Sequence, residues 1–316
     1  MILVYCLTFI LCSLTACVSS VPHVVQTLSS NYALILGGYG GKYKEILSVE
    51  VVKHDKVCGS VISDIPPTKG RFLGDKSGLA ETINDEVIFC RHRQCWMLDI
   101  YENKWKQISG FSTTRIGAAS ATVDNKMIIL GGKGKNDSEL ITFEVYDPTI
   151  DKWLTKPEWQ MSEERYSFCA VPINRTSLVI IGGYRDGHAL SSVELLNIET
   201  NQWELLPSLP SARYGQSCLL TEFGGHSGIL ATGGALTGSE VLFFDIEARV
   251  WKKLKSLEYK VDGHKMAIVE GIPTMFSWEH IEQFNGVNWV TTDLRLNHSR
   301  SAFAVTTIPG HLVRSC

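Results

Sequence analysis

The sequence predicts an all-β fold, a six-bladed β-propeller whose ring is closed by a C-terminal strand joining the N-terminal blade. Three observations predict it. Short apolar runs end in a glycine pair at Leu34-Ile-Leu-Gly-Gly38, Ile128-Ile-Leu-Gly-Gly132, Val179-Ile-Ile-Gly-Gly183 and Leu230-Ala-Thr-Gly-Gly234, with first glycines 94, 51 and 51 residues apart. The tryptophans Trp105, Trp153, Trp203, Trp251 and Trp289 keep the same beat, separated by 48, 50, 48 and 38 residues. No stretch shows a sustained helical period. A fixed period of this size marks a radial array of small sheets.

Each unit reads as four strands in series. Arg115, Arg165, Arg213 and Arg300 open the first strand, as Arg71 does in a more degenerate unit, with Lys260 at the remaining position. The glycine pair ends the second strand; Gly37, Gly38, Gly131, Gly132, Gly182, Gly183, Gly233 and Gly234 allow positive φ and close backbone approach where blades converge. Third strands such as Ser192-Val-Glu-Leu-Leu196 and Glu240-Val-Leu-Phe-Phe244 are followed by a turn, because Asp99, Asp147, Asn197 and Asp245 stand six residues before a tryptophan. The tryptophan strand comes last, offering a broad apolar surface to the next sheet.

These residues resemble the kelch repeat family. Arg165-Tyr-Ser-Phe-Cys-Ala170, Val179-Ile-Ile-Gly-Gly183, Leu195-Leu-Asn197 and Trp203 match one full unit. Two degenerate units complete the count: Glu86-Val-Ile-Phe-Cys90 before Trp105, and Thr274-Met-Phe-Ser-Trp278 before Trp289. In the first unit Val57-Cys58 stands in place of the tryptophan, and its missing opening strand is supplied by Arg300-Ser-Ala-Phe-Ala-Val-Thr-Thr307. Kelch propellers are closed in this way, which removes exposed sheet edges. The expected blades are roughly 31–65, 71–109, 115–160, 165–209, 213–257 and 260–292, with a closing strand at 300–308.

Residues 1–20 read as a secretory signal peptide. No Asp, Glu, Lys or Arg precedes Lys42, and the apolar run Ile2 to Val18 ends in small residues. A signal anchor and a lipoprotein-type box at Leu14-Thr15-Ala16-Cys17 are the alternatives. The remainder, 21–316, is expected to be one propeller domain with no membrane span after signal removal. Cys6, Cys12 and Cys17 lie in the leader, leaving six of nine cysteines, an even number that suits an oxidising compartment. Cys90 with Cys95 forms a disulfide across a hairpin or, with His92, part of a zinc site; Cys58 and Cys316 fall in the closing blade, where a bridge would lock the ring. Three sequons, at Asn136, Asn174 and Asn297, also fit export, with Asn136 and Asn297 on the glycine-pair face and Asn174 opposite.

The 316 residues, 44% hydrophobic and 20% charged with a formal charge of −3, exclude a disordered chain, and 27 glycines exclude collagen. The balanced charge gives no broad attraction to nucleic acid or anionic membranes. Gly37-Gly-Tyr-Gly-Gly-Lys42 and Gly131-Gly-Lys-Gly-Lys135 fail as phosphate loops: no Ser or Thr follows the lysine and no helix is expected after it.

The function expected is non-catalytic recognition of a protein, acidic ones included, or of a glycan, through the loop face, without cofactor or metal. Arg71, Arg115, Arg165, Arg213 and Arg300, with Tyr166 and Tyr214, are the candidate ligand-binding residues. The resemblance implies this use, because kelch adaptors grip acidic peptide segments with arginines on that face, where bidentate Arg-carboxylate bonds suit the task. The competing reading has the arginines bonding backbone carbonyls between blades and only securing the ring. Two further classes are weighed. One is a carbohydrate-modifying enzyme of the galactose-oxidase or sialic-acid-mutarotase kind, for which Tyr166 with Cys169 and Tyr214 with Cys218 are the nearest Tyr-Cys pairs. The other is a kelch adaptor for actin or ubiquitin ligases, disfavoured because no BTB-like helical region precedes the repeats. His264 and His280 read as solvated or turn residues.

Overall fold

The computed structural model describes residues 31–67, 78–278, 280–313 and 316. The leader and Arg71 lie outside the described residues.

Six four-stranded antiparallel sheets form the blades of a propeller. Blade one is composite: its innermost strand is Ala304–Pro309, followed outward by Asn31–Leu36, Val49–Val52 and Val57–Gly59. The innermost strands of blades two to six are Leu79–Ile83, Ala119–Val123, Cys169–Pro172, Ser217–Phe223 and Lys265–Val269. Their outermost strands are Lys104–Ile108, Lys152–Leu154, Gln202–Leu206, Val250–Lys253 and Trp289–Thr291. Each innermost strand packs against the next, and Lys265–Val269 packs against Ala304–Pro309, so the ring is complete. The closing pairing runs in register from Asn31 opposite Pro309 to Leu36 opposite Ala304.

The core is divided among the seams between blades. Ala33, Leu34, Ile35 and Leu36 are fully buried, yet they serve two different layers: Leu34 and Leu36 pack toward blade two, Ala33 and Ile35 toward blade six. Leu178 and Ile180 likewise face blade three while Val179 and Ile181 face blade five. A strand sandwiched between two neighbouring sheets buries both of its faces, which is why these segments are continuous apolar runs instead of alternating ones. The outer strands touch solvent and revert to mixed composition, as in Gln202-Trp-Glu-Leu-Leu206.

The repeated residues tie blade to blade. Gly234, at φ +99, brings its amide to the Val261 carbonyl of blade six at 2.9 Å, and a Cβ there would lie 2.7 Å from the Tyr214 carbonyl. Gly132 and Gly183 donate in the same way to the carbonyls of Arg165 and Arg213 in the following blade. On the outside, the indole N–H groups of Trp105, Trp153 and Trp251 donate to the carbonyls of Ser63, Ser109 and Pro207, each just past the outer strand of the preceding blade. Trp203 and Trp289 make no such bond; Trp289 is buried in the seam between blades five and six.

Three disulfides complete the framework. Cys90–Cys95 spans the hairpin of blade two, and Cys58–Cys316 carries the residue at the C-terminal end to the outer strand of blade one, where Lys53 Nζ donates to the Cys316 carbonyl. The third, Cys169–Cys218, joins the innermost strands of blades four and five and was not anticipated from the sequence.

Candidate ligand-binding face

The four described arginines that open first strands do not project to solvent. Arg115 is 3% exposed, and Arg165, Arg213 and Arg300 are 0% exposed. Each guanidinium folds back into its own blade and donates to the carbonyl of the first glycine of the pair: Arg115 to Gly131 at 2.9 Å, Arg165 to Gly182 at 2.8 Å, Arg213 to Gly233 at 3.5 Å and Arg300 to Gly37 at 2.9 Å. Each also meets a carboxylate, Glu144, Glu194, Glu240 and Glu50 respectively. Burial lowers these arginines from their ordinary basicity and the adjacent carboxylates oppose that effect. The expectation that Arg115, Arg165, Arg213 and Arg300 grip a ligand is therefore corrected. Releasing Arg115, Arg165 or Arg300 to a ligand would strand a carboxylate that is 1% exposed, at a cost of several kcal/mol.

The acidic partners escaped the sequence reading, although a signal was present. Glu144 and Glu194 both stand nine residues before a tryptophan, and Glu50, Glu144, Glu194 and Glu282 all occupy the second position of their third strand. Their carboxylates also cap the incoming segment: Glu144 accepts from the amides of Ser112 and Thr113, and Glu50 from Asn297 and His298. In blade six, where Lys260 replaces the arginine and is exposed, Glu282 keeps the capping role toward Glu258 and Tyr259, and burial raises its carboxyl above the ordinary range.

The exposed surface belongs to the neighbours of these groups. The residue after each arginine forms an isolated bridge with the residue after the glycine pair: Ser301 with Tyr39, Ile116 with Lys133, Tyr166 with Tyr184, and Tyr214 with Ala235. All eight are partly exposed on the glycine-pair face. Across blades three to five their side chains form a continuous row. Lys133 Nζ lies 4.5 Å from the Tyr166 ring centre, and Tyr184 stands edge-to-face with Tyr166 at 5.5 Å and with Tyr214 at 4.6 Å. Such contacts contribute roughly 0.5–1.5 kcal/mol each and preorganise the rings. The row ends beside an open cavity of about 390 Å³ lined by Leu236, Lys260 and Asp262. Leu236 is 79% exposed and holds φ +76, a strained posture for a leucine. Tyr166 and Tyr214 were anticipated; Tyr39, Lys133, Tyr184 and Leu236 were not.

Cys169 and Cys218 are bonded to each other, so neither forms a crosslink with Tyr166 or Tyr214. Cys90 and Cys95 are likewise bonded, and among the described residues no group of three or more His, Cys, Asp or Glu side chains is arranged to hold a metal. His264 is not a solvated turn residue: it is 2% exposed, hydrogen-bonds Thr232 Oγ1 at 2.7 Å, and burial drops its pKa to about 3. His280 stacks on Tyr259 with ring centres 3.9 Å apart. Asn136, Asn174 and Asn297 are all exposed; Asn136 sits in a loop of the glycine-pair face and Asn174 in a hairpin at the opposite end.

Radial sheets, glycine pairs and outer tryptophans define a propeller of kelch blades. A family model described as the KLHDC2/KLHL20/DRC7 Kelch-repeats domain matches residues 83–277, and the chain belongs to that family. It is 26% identical over 190 residues to human Kelch-like protein 34, covering 55% of this chain and 29% of that protein. It is 30% identical over 119 residues to human Kelch-like protein 23, covering 37% of this chain and 20% of that protein. The chain thus spans less than a third of these relatives' length. A solved structure titled "Structure of YjhT" superposes with a TM-score of 0.57 at 19% identity, covering 72% of this chain and 77% of that one, a likeness of fold.

Proposed function

We propose that this chain is a non-catalytic recognition module that binds a protein segment across its glycine-pair face, in an oxidising compartment outside the cytosol. The observation that carries the reading is the row Lys133, Tyr166, Tyr184 and Tyr214, which presents aromatic edges and one ammonium group on rigid backbone bridges. Tyrosine supplies contact area at low conformational cost and is enriched at protein interfaces. The ligand's acidic groups, where present, meet Lys133 instead of the buried arginines. The relatives named above, all kelch-like proteins, lend support from the family's side. Export is supported by the leader composition and by the pairing of all six cysteines beyond it.

The test is capture of partners from conditioned medium by the intact chain and by Tyr184→Ala and Lys133→Ala variants. Loss of the same partner from both variants, with an unchanged melting temperature, is the expected result. Partners retained undiminished by both would remove the face from consideration.

A further inference from the structure

The six innermost strands enclose a cavity of about 350 Å³ along the propeller axis. Among its described lining residues Glu81 and Lys265 carry the charges, set in a wall otherwise of small, apolar, hydroxyl and amide side chains. The Glu81 carboxylate accepts from Ser120 Oγ at 2.7 Å and Thr122 Oγ1 at 3.0 Å, so it is held in place with lone pairs to spare. Lys265 makes no hydrogen bond or ion pair within 4 Å among the described residues and feels Glu81 only from farther away. Burial lowers the lysine's basicity and raises the Glu81 carboxyl, as a poorly hydrated site requires.

Lys265 and Glu81 thus set opposite charges on one cavity wall, too far apart to pair directly, an arrangement complementary to a guest with one anionic end and one end rich in N–H donors. A simple anion would satisfy Lys265 but be repelled by Glu81, and a simple cation would meet the reverse, in a setting where charges act more strongly than in water. The space equals about twelve waters at roughly 30 Å³ each, ample for a small organic molecule.

We propose that the axial cavity binds a small zwitterion of the amino-acid class, with its carboxylate on Lys265 and its ammonium group on Glu81. This site is separate from the tyrosine row, and substitutions in it leave partner capture through Tyr184 unchanged.

The experiment uses the intact disulfide-bonded chain, with glycine, acetate and methylammonium as probes in saturation-transfer NMR and calorimetry. Glycine is expected to bind with a dissociation constant of about 1 mM or tighter, and acetate and methylammonium at least about tenfold more weakly. Lys265→Met and Glu81→Gln are each expected to weaken glycine by about tenfold or more, the loss of one charge-assisted hydrogen bond. No glycine signal at about 10 mM, acetate binding as tightly as glycine, or folded variants that bind like the parent would each overturn the proposal. Should a variant fail to fold, the discrimination between glycine and acetate by the unmodified chain decides the matter.

Discussion

The Arg165 guanidinium and the Glu194 carboxylate meet as a fully buried ion pair within blade four, and Arg165 Nη1 also donates to the Gly182 carbonyl at 2.8 Å. Glu194 Oε2 in turn accepts from the Ser162 amide at 3.3 Å, where the chain enters the blade. The same pattern, with Glu50 and Glu144, recurs in blades one and three, so the charged residues that a surface reading would assign to a ligand are part of the interior.

Arg165→Ala should therefore act on stability. Removing one partner of a buried pair leaves the other uncompensated, at a cost of about 3–5 kcal/mol. Denaturant unfolding with the disulfides intact measures it. A folded Arg165→Ala variant within about 0.5 kcal/mol of the parent would contradict the buried placement.

Gly234→Ala should destabilise by roughly 1–3 kcal/mol, because the new Cβ meets the Tyr214 carbonyl at 2.7 Å and the backbone stays at φ +99. Gly187, at φ +82 with nothing within 4 Å of a new Cβ, should cost about 1 kcal/mol when changed to alanine. The difference between the two variants isolates the close approach from the conformational term.

Breaking Cys58–Cys316 in a paired serine variant should lower stability by roughly 2–5 kcal/mol, since the bridge spans a sequence separation of 258. Hydrogen exchange should show the loss first in Ala304–Pro309 and Asn31–Leu36, whose pairing closes the ring. Uniform protection across all blades would argue against a local seam.

Acid should loosen the fold through His264 and His92, held neutral by burial down to about 3 and about 4. Unfolded histidine takes up a proton near pH 6.5, so each of these withdraws about 1.4 kcal/mol per pH unit as pH falls below that value, until its folded pKa is reached. His54 has the opposite sign: its hydrogen bond to Glu270, across the seam between blades six and one, raises its pKa. Its contribution is present below about 6.5 and fades as pH rises through the folded value. Comparing the pH dependence of unfolding for the parent and for His264→Gln checks the first statement; identical slopes between pH 6 and 4 would refute it.

Much of the architecture was legible because glycine pairs and tryptophans perform backbone and packing tasks that few other residues can. Even the degenerate blades declared themselves: Glu86–Arg91 and Ile272–Phe276 are the second strands where the glycine motif is missing. The arginines misled because strand position does not say which way a long side chain folds, and the answer lay in glutamates some 29 residues farther on, as with Arg115 and Glu144. The bridge Cys169–Cys218 was hidden by its length, although a sequence separation of 49 is the 48-residue step from Arg165 to Arg213 plus one, an offset that turns the two cysteines to opposite faces of adjacent inner strands and so toward each other. Tyr39, Lys133 and Tyr184 follow glycine pairs directly, a position readable in advance once the glycine loop is known to open onto the exposed face.

The paired bridges that ring this face, Ser301 with Tyr39, Ile116 with Lys133, Tyr166 with Tyr184 and Tyr214 with Ala235, are made by main-chain atoms alone. Nearly any side chain except proline, which lacks the N–H, is compatible with them, and serine, isoleucine, lysine, tyrosine and alanine all occur. Evolution can thus rewrite the contact surface one position at a time without disturbing what keeps the blades in register. Descendants of one ancestral ring can diverge in specificity faster than in shape.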